Sequence, residues 1–99
     1  MKVILTDQAL GDLIAIGRYI QQDNPARAVT FIAELEEKCV QIGRTPQAFP
    51  LIPGREASGI RRRVYSNYLI FYRVRDNTVD VLHVLNGAMD YEPILFPDA

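Results

Sequence analysis

Apolar residues along this chain follow a helical rhythm before residue 43 and a two-residue rhythm after residue 59. Val3, Ile4 and Leu5 form a short apolar run that predicts an opening strand, and Thr6 or Asp7 offers a side-chain oxygen to cap the helix that follows. Within that helix Leu10, Leu13, Ile14, Gly17 and Ile20 share one face, Ile16 widens the stripe, and Tyr19 lies beyond its edge. Asp23-Asn24-Pro25 breaks the pattern. A proline disfavours helical geometry at the residue before it and suits the first position of a new helix. Asn24 is therefore expected to cap a second helix, whose seam runs through Ala28, Ile32, Leu35, Cys39 and Ile42. The short joint makes the pair an antiparallel hairpin, and Gly43 with Pro46 ends it.

From Thr45 to Gly59 the prolines and glycines predict a loop, with Phe49, Leu51 and Ile52 available to tether it. Ile60 to Tyr65 then reads as a strand, Ser66-Asn67 as a turn, and Tyr68 to Val74 as a strand rich in aromatic and branched residues. Asp76-Asn77 makes a second turn and Val79 to Leu85 a last strand. The order β-α-α-β-β-β predicts one α+β domain over residues 1–99, a helical hairpin packed on one face of a small antiparallel sheet. Residues 87–99 carry two prolines and no period and are expected to form a C-terminal tail.

If Asp76 and Asn77 are the two turn residues, the hairpin register follows. Arg73 faces Asp80, Phe71 faces Leu82 and Leu69 faces Val84 on one side. Val74 with Val79, Tyr72 with Val81, Ile70 with His83 and Tyr68 with Leu85 share the other. Both sides are largely apolar, yet two helices cover only one. A tyrosine-rich face bearing Tyr68, Ile70 and Tyr72 is expected to stay open for a protein partner, unless the loop from Thr45 to Gly59 folds over it. On the second helix Val29, Ala33 and Val40 form a weaker stripe away from the seam. It reads either as scattered surface residues or as a groove for a partner's helix, with Ile16 and Tyr19 of the first helix adding to that surface.

Composition narrows the chemistry. Ninety-nine residues bury a real but thin core, so a partner is expected to add stability. Eleven basic against twelve acidic side chains give a net charge of −1, which makes direct nucleic-acid binding an unexpected mode. A single cysteine, Cys39, excludes an internal disulfide and suits a reducing compartment. No stretch approaches the ~20 apolar residues of a membrane span, so a cytoplasmic protein without membrane contact is expected. One cysteine and one histidine do not make a zinc site, and no glycine-rich phosphate loop is present; neither metal nor cofactor is expected.

Three segments carry a resemblance: RYIQQDNPARA, then GIRRRVYSNYLIFYRVRDNTVDVLHVL, then NGAMD. In order and spacing they resemble the ParE/RelE family of toxins from bacterial type II toxin–antitoxin pairs. The shared marks are the element order, the aromatic strand ending Tyr72-Arg73-Val74, the arginine just before that hairpin and the glycine-containing turn after the last strand. The likeness runs from Val3 to Asp90. Many members have histidine where this chain has Asn86 and arginine where it has Met89. RelE-like members, ribosome-dependent messenger-RNA endonucleases, use basic side chains with a tyrosine or histidine near this point. The run Met89-Asp90-Tyr91-Glu92-Pro93-Ile94 looks more like ParE.

A ParE resemblance implies a toxin without catalytic residues. It would poison DNA gyrase by binding and be silenced in a hetero-oligomer by a ParD-like antitoxin. The expected target contacts are Arg61 and Arg63 together with Met89, Asp90, Tyr91, Ile94, Leu95 and Phe96 of the tail. Pro93 and Pro97 stiffen that tail, so truncation after Asp90 is expected to harm target binding more than folding. The alternative is a RelE-like RNA endonuclease, which needs a general base, cations for the phosphate and an acid for the leaving oxygen. Arg61, Arg62, Arg63, Arg73 and Arg75 supply cations, and His83 and Tyr91 are the groups to weigh. His83, mid-strand, reads as a packed neighbour, and Tyr91 as an anchor of the tail. Arg73 and Asp80 are expected to form a cross-strand ion pair of ~0.2–1 kcal/mol.

Overall fold

Two side-chain caps start the two long helices. In the computed structural model, which describes residues 1–98, the Thr6 hydroxyl accepts the Ala9 N–H at 3.2 Å and opens α1, Asp7–Gln21. Asn24 Oδ1 accepts the Arg27 N–H at 3.0 Å and opens α2, Pro25–Ile42, with Pro25 in its first turn. The strands are β1 (Lys2–Leu5), β2 (Arg61–Tyr65), β3 (Tyr68–Arg75) and β4 (Thr78–Asn86), and a short α3 (Glu92–Leu95) lies in the tail. Ala99, the last residue of the expected tail, falls outside the described residues.

The sheet order is β1-β4-β3-β2. β2, β3 and β4 are antiparallel, as expected for this α+β fold, and β1 joins β4 in parallel. Where β1 ends, α1 takes over the edge of β4. The Thr6 hydroxyl donates to the carbonyls of Val81 and Leu82, and the Asp12 carboxylate accepts the Val84 N–H.

The main core joins Ala9, Leu13 and Ile16 of α1 and Phe31, Leu35, Cys39 and Ile42 of α2 to Ile70, Tyr72, Val79, Val81 and Val84 of the sheet. Two details differ from the expected seams. In α1 the buried stripe is rotated: Leu10 and Ile14 stay 44 % and 56 % exposed, whereas Ala9 and Ile16 are buried. Leu13 belongs to both stripes, so periodicity alone leaves the choice to the sheet. In α2 Phe31 fills the core and Ile32 is only half-buried.

The β3–β4 ladder follows the expected register from Arg75↔Thr78 to Tyr72↔Val81, including Arg73↔Asp80. A bulge then leaves Leu82 unopposed, and the pairs become Phe71↔His83, Ile70↔Val84, Leu69↔Leu85 and Tyr68↔Asn86. One extra residue on one strand reverses the alternation beyond it. The bulge puts Val84 instead of His83 beside Ile70, which keeps the helix-facing side apolar.

That side is the tyrosine-rich one. Ile70 and Tyr72 are fully buried beneath the helices and Tyr68 is half-buried, so the face expected to stay open is closed. The opposite side is covered as well. Ile52 and Ile60 bury Phe71 and Leu85, with Leu69, Leu82, Tyr91, Leu95 and Phe96 packed around them. The loop is held there by Ile52 N–H to the Ile60 carbonyl at 3.1 Å and by Arg62 N–H to the Pro50 carbonyl at 3.0 Å.

Candidate functional site

Because α1 seats Ala9, Leu13 and Ile16 on the sheet, its neighbouring stripe turns outward against α2. Leu10, Ile14 and Gly17 of α1 face Val29, Ile32 and Ala33 of α2 across an open groove of about 670 Å³. Arg18, Gln21 and Glu36 supply its polar lining. Of the residues expected to meet an antitoxin, Val29 and Ala33 line this groove. Val40 is exposed on α2 outside it, and Ile16 is in the core. Spacing puts Leu10 and Ile14 on the same face of α1 as Leu13. Their exposure is visible only once the sheet has selected the other stripe.

A second cleft, about 370 Å³, lies between the other flank of α1 and the end of the sheet. It brings together Tyr19 and Tyr68, expected at the antitoxin surface, with Met89, expected at the target surface. Asp12 also lines it. His83 is not a packed neighbour of Ile70: its Nδ1 lies 2.8 Å from Asp12 Oδ2, the same oxygen that accepts the Val84 N–H at 2.9 Å. Asp12 carries no signal in the sequence, because its partner is 71 positions away.

The arginines of β2 are engaged within the fold. Arg61 donates to the Phe49 carbonyl at 2.7 Å. Arg63 donates to the Lys38 carbonyl at 2.9 Å and to Gln41 at 3.2 Å, and its guanidinium sits 4.9 Å above the Phe49 ring. Arg62 donates to the Tyr91 hydroxyl at 3.0 Å. Asp80 pairs with Arg75 at 2.8 Å rather than with its ladder partner Arg73. Arg75 is the diagonal neighbour, two residues along the same face, within reach of a long side chain.

The tail is tied down by the same means. The Tyr91 ring packs 4.9 Å from that of Phe71, Arg55 holds Glu92 at 3.2 Å, and the Arg55 guanidinium covers the Phe96 ring at 4.3 Å. Tyr91, Leu95 and Phe96 thus pack half-buried against the second core: Tyr91 anchors the tail as expected, and the three are not free for a target. Met89, Asp90 and Ile94 remain exposed.

On the opposite flank, Glu34 of α2 accepts from Arg27 and from the Tyr65 hydroxyl. Arg27, and after it Tyr65, hold the Glu34 carboxyl below its ordinary range, and the bond to Glu34 raises the Tyr65 phenol. Burial pushes the Cys39 thiol up to about 12. No group of three or more metal-ligating side chains is clustered among the described residues. No helix there is long and apolar enough to cross a membrane.

A helical hairpin on a four-stranded sheet, with an apolar groove outside and the arginines of β2 bonded to backbone and tail, defines a small α+β domain with an open apolar helical surface. Residues 3–91 match the family described as the ParE toxin of the type II toxin–antitoxin system parDE, and the chain belongs to that family. No curated protein sequence matches it significantly. Among solved structures, it is similar to a chain of the chromosomal ParDE toxin–antitoxin system from P. aeruginosa. The TM-score is 0.76 at 18 % identity, over 87 % of this chain and 95 % of that one. At that identity the likeness speaks for the fold.

Proposed function

We propose that this ParE-family toxin acts by binding DNA gyrase without catalysing a reaction, and that a ParD-like antitoxin neutralises it in a hetero-oligomer. The observation that carries the non-enzymatic part is the commitment of the groups a nuclease would use. The Tyr91 hydroxyl accepts from Arg62, and Arg61 and Arg63 donate to backbone carbonyls. General acid–base work needs such groups within reach of a substrate rather than of the fold. Supercoiling inhibition and trapped gyrase cleavage complexes are the expected results with purified protein. Site-specific cuts in translated messages without gyrase inhibition would replace this reading with the RNA endonuclease.

The antitoxin is assigned to the groove between α1 and α2, lined by Val29, Ala33, Leu10 and Ile14, where an amphipathic helix would bury its apolar face. Ile14→Asp and Val29→Asp place a charge there at exposed positions. Each should leave the melting temperature near the parent's and weaken antitoxin binding about tenfold or more. Unchanged affinity in both variants would move the antitoxin elsewhere. The target surface is assigned to what the tail leaves accessible, Met89, Asp90 and Ile94.

A further inference from the structure

We infer that the cleft between Tyr19 and Met89 is a socket for an arginine side chain of a polypeptide partner. The inference stands apart from the gyrase and antitoxin assignments, since it rests on the donors and acceptors of the cleft alone.

Its centre is Asp12. Oδ2 of this residue is occupied twice, by His83 Nδ1 at 2.8 Å and by the Val84 N–H at 2.9 Å. A carboxylate only accepts, so the proton of that contact sits on His83 Nδ1. These two bonds hold Oδ2 against β4. They leave Oδ1 without a donor among the described residues, in a side chain that lines the cleft.

The walls suit a guanidinium. Tyr19 and Tyr68 are its aromatic lining, Ile16, Val84 and Leu85 supply aliphatic surface for a methylene stem, and no basic side chain is among the lining residues. An arginine presents a flat cation that stacks on an aromatic face while its edge donates to a carboxylate. A lysine ammonium, a compact and strongly hydrated point charge, uses the rings less well. Tyr19 and Met89 are 63 % and 46 % exposed, so the two outer walls are free to close on an entering chain. Methionine's flexible thioether adapts to such an edge. The groove between α1 and α2 differs in that its lining carries a cation, Arg18, beside the carboxylate of Glu36.

The test uses the whole chain and a probe that contains neither antitoxin nor gyrase. Isotope-labelled protein is titrated with Nα-acetyl-arginine methylamide and, separately, with the citrulline analogue, which has the same shape without the charge. Saturable shifts of the Val84 amide and the Met89 methyl are expected at millimolar to tens of millimolar arginine probe. The citrulline analogue should bind at least about tenfold more weakly. Asp12→Asn should abolish the response. Because that change also weakens the bond to Val84, Tyr19→Ala serves as a second arm. Its ring is exposed, its fold should be intact, and arginine binding should weaken several-fold. Absence of a saturable shift, equal binding of the citrulline analogue, or parental affinity in folded Tyr19→Ala would each overturn the socket.

Discussion

The ring of Tyr91 lies 4.9 Å from that of Phe71, and this contact fixes the tail to the face of the sheet that the helices do not cover. It makes residues 91–96 a lid over a second core. Truncation after Asp90 would uncover Phe71, Ile52 and Leu85 and remove the Arg55–Glu92 and Arg62–Tyr91 contacts. The expected loss is about 3 kcal/mol, from aromatic and aliphatic burial together. For a domain of this size that lowers the melting temperature by on the order of 10 °C or more. Tyr91→Ala alone should cost about 2 kcal/mol in urea unfolding.

Two glycines should respond oppositely to alanine. A Cβ on Gly43 would stand 2.3 Å from the Met1 carbonyl oxygen and 2.9 Å from Val3 Cγ2, so β1 has to move away from the end of α2. Gly43→Ala is expected to destabilise by about 1–3 kcal/mol. A Cβ on Gly11, within α1, meets nothing within 4 Å. Gly11→Ala should stabilise by about 0.5–1 kcal/mol through helix propensity. Chemical denaturation of both variants beside the parent reads the difference in sign.

The Cys39 thiol, pushed up to about 12 by burial, titrates near its ordinary value in the unfolded chain. Between those two values the folded state holds the proton that the unfolded state has lost. Stability contributed by Cys39 is therefore intact below the unfolded pKa and falls as pH rises towards the folded one. Cys39→Ala should show a shallower alkaline loss of stability than the parent. At neutral pH the native thiol should react with a thiol reagent far more slowly than in denaturant.

Arg73 and Arg75 separate ladder position from actual pairing. Asp80 is buried and bonded to Arg75, so Arg75→Ala should cost about 1 kcal/mol by leaving that carboxylate poorly paired. Arg73→Ala should stay within about 0.5 kcal/mol. A larger cost at Arg73, measured by urea midpoints, would show that the ladder partners are the true ion pair.

His83→Ala should leave growth arrest within a few-fold of the parent while lowering stability by about 1 kcal/mol, the worth of a part-buried bond to Asp12. Loss of toxicity with an unchanged melting curve would instead assign His83 to the reacting centre.

The chain's own pattern determined a good deal of this protein. Thr6 and Asn24 as helix caps, Pro25 as the start of α2, the two-residue turns and the order of elements all rest on local chemistry, in which a side chain and its backbone partner are within a few residues. The segments around Pro25, Tyr72 and Gly87 were likewise enough to suggest the ParE family, because they depend on order and spacing rather than on contact. Tertiary structure alone decided the rest. Whether Leu10 or Ala9 faces inward depends on where the sheet lies, since adjacent helical stripes share Leu13. The bulge at Leu82 has no local signature, and it arises where keeping Ile70 beside Val84 gives an apolar layer that Ile70 beside His83 would not. The tail carries no period because its four-residue helix is too short to show one, yet Tyr91 is held by Phe71 and Arg62 of the strands and Phe96 by Arg55 of the loop. Asp12 meets His83, and Arg62 meets Tyr91, only when the chain has closed on itself. The sites of this protein are assembled from such distant pairs, which is why composition and periodicity reached its fold and family before they reached its surfaces.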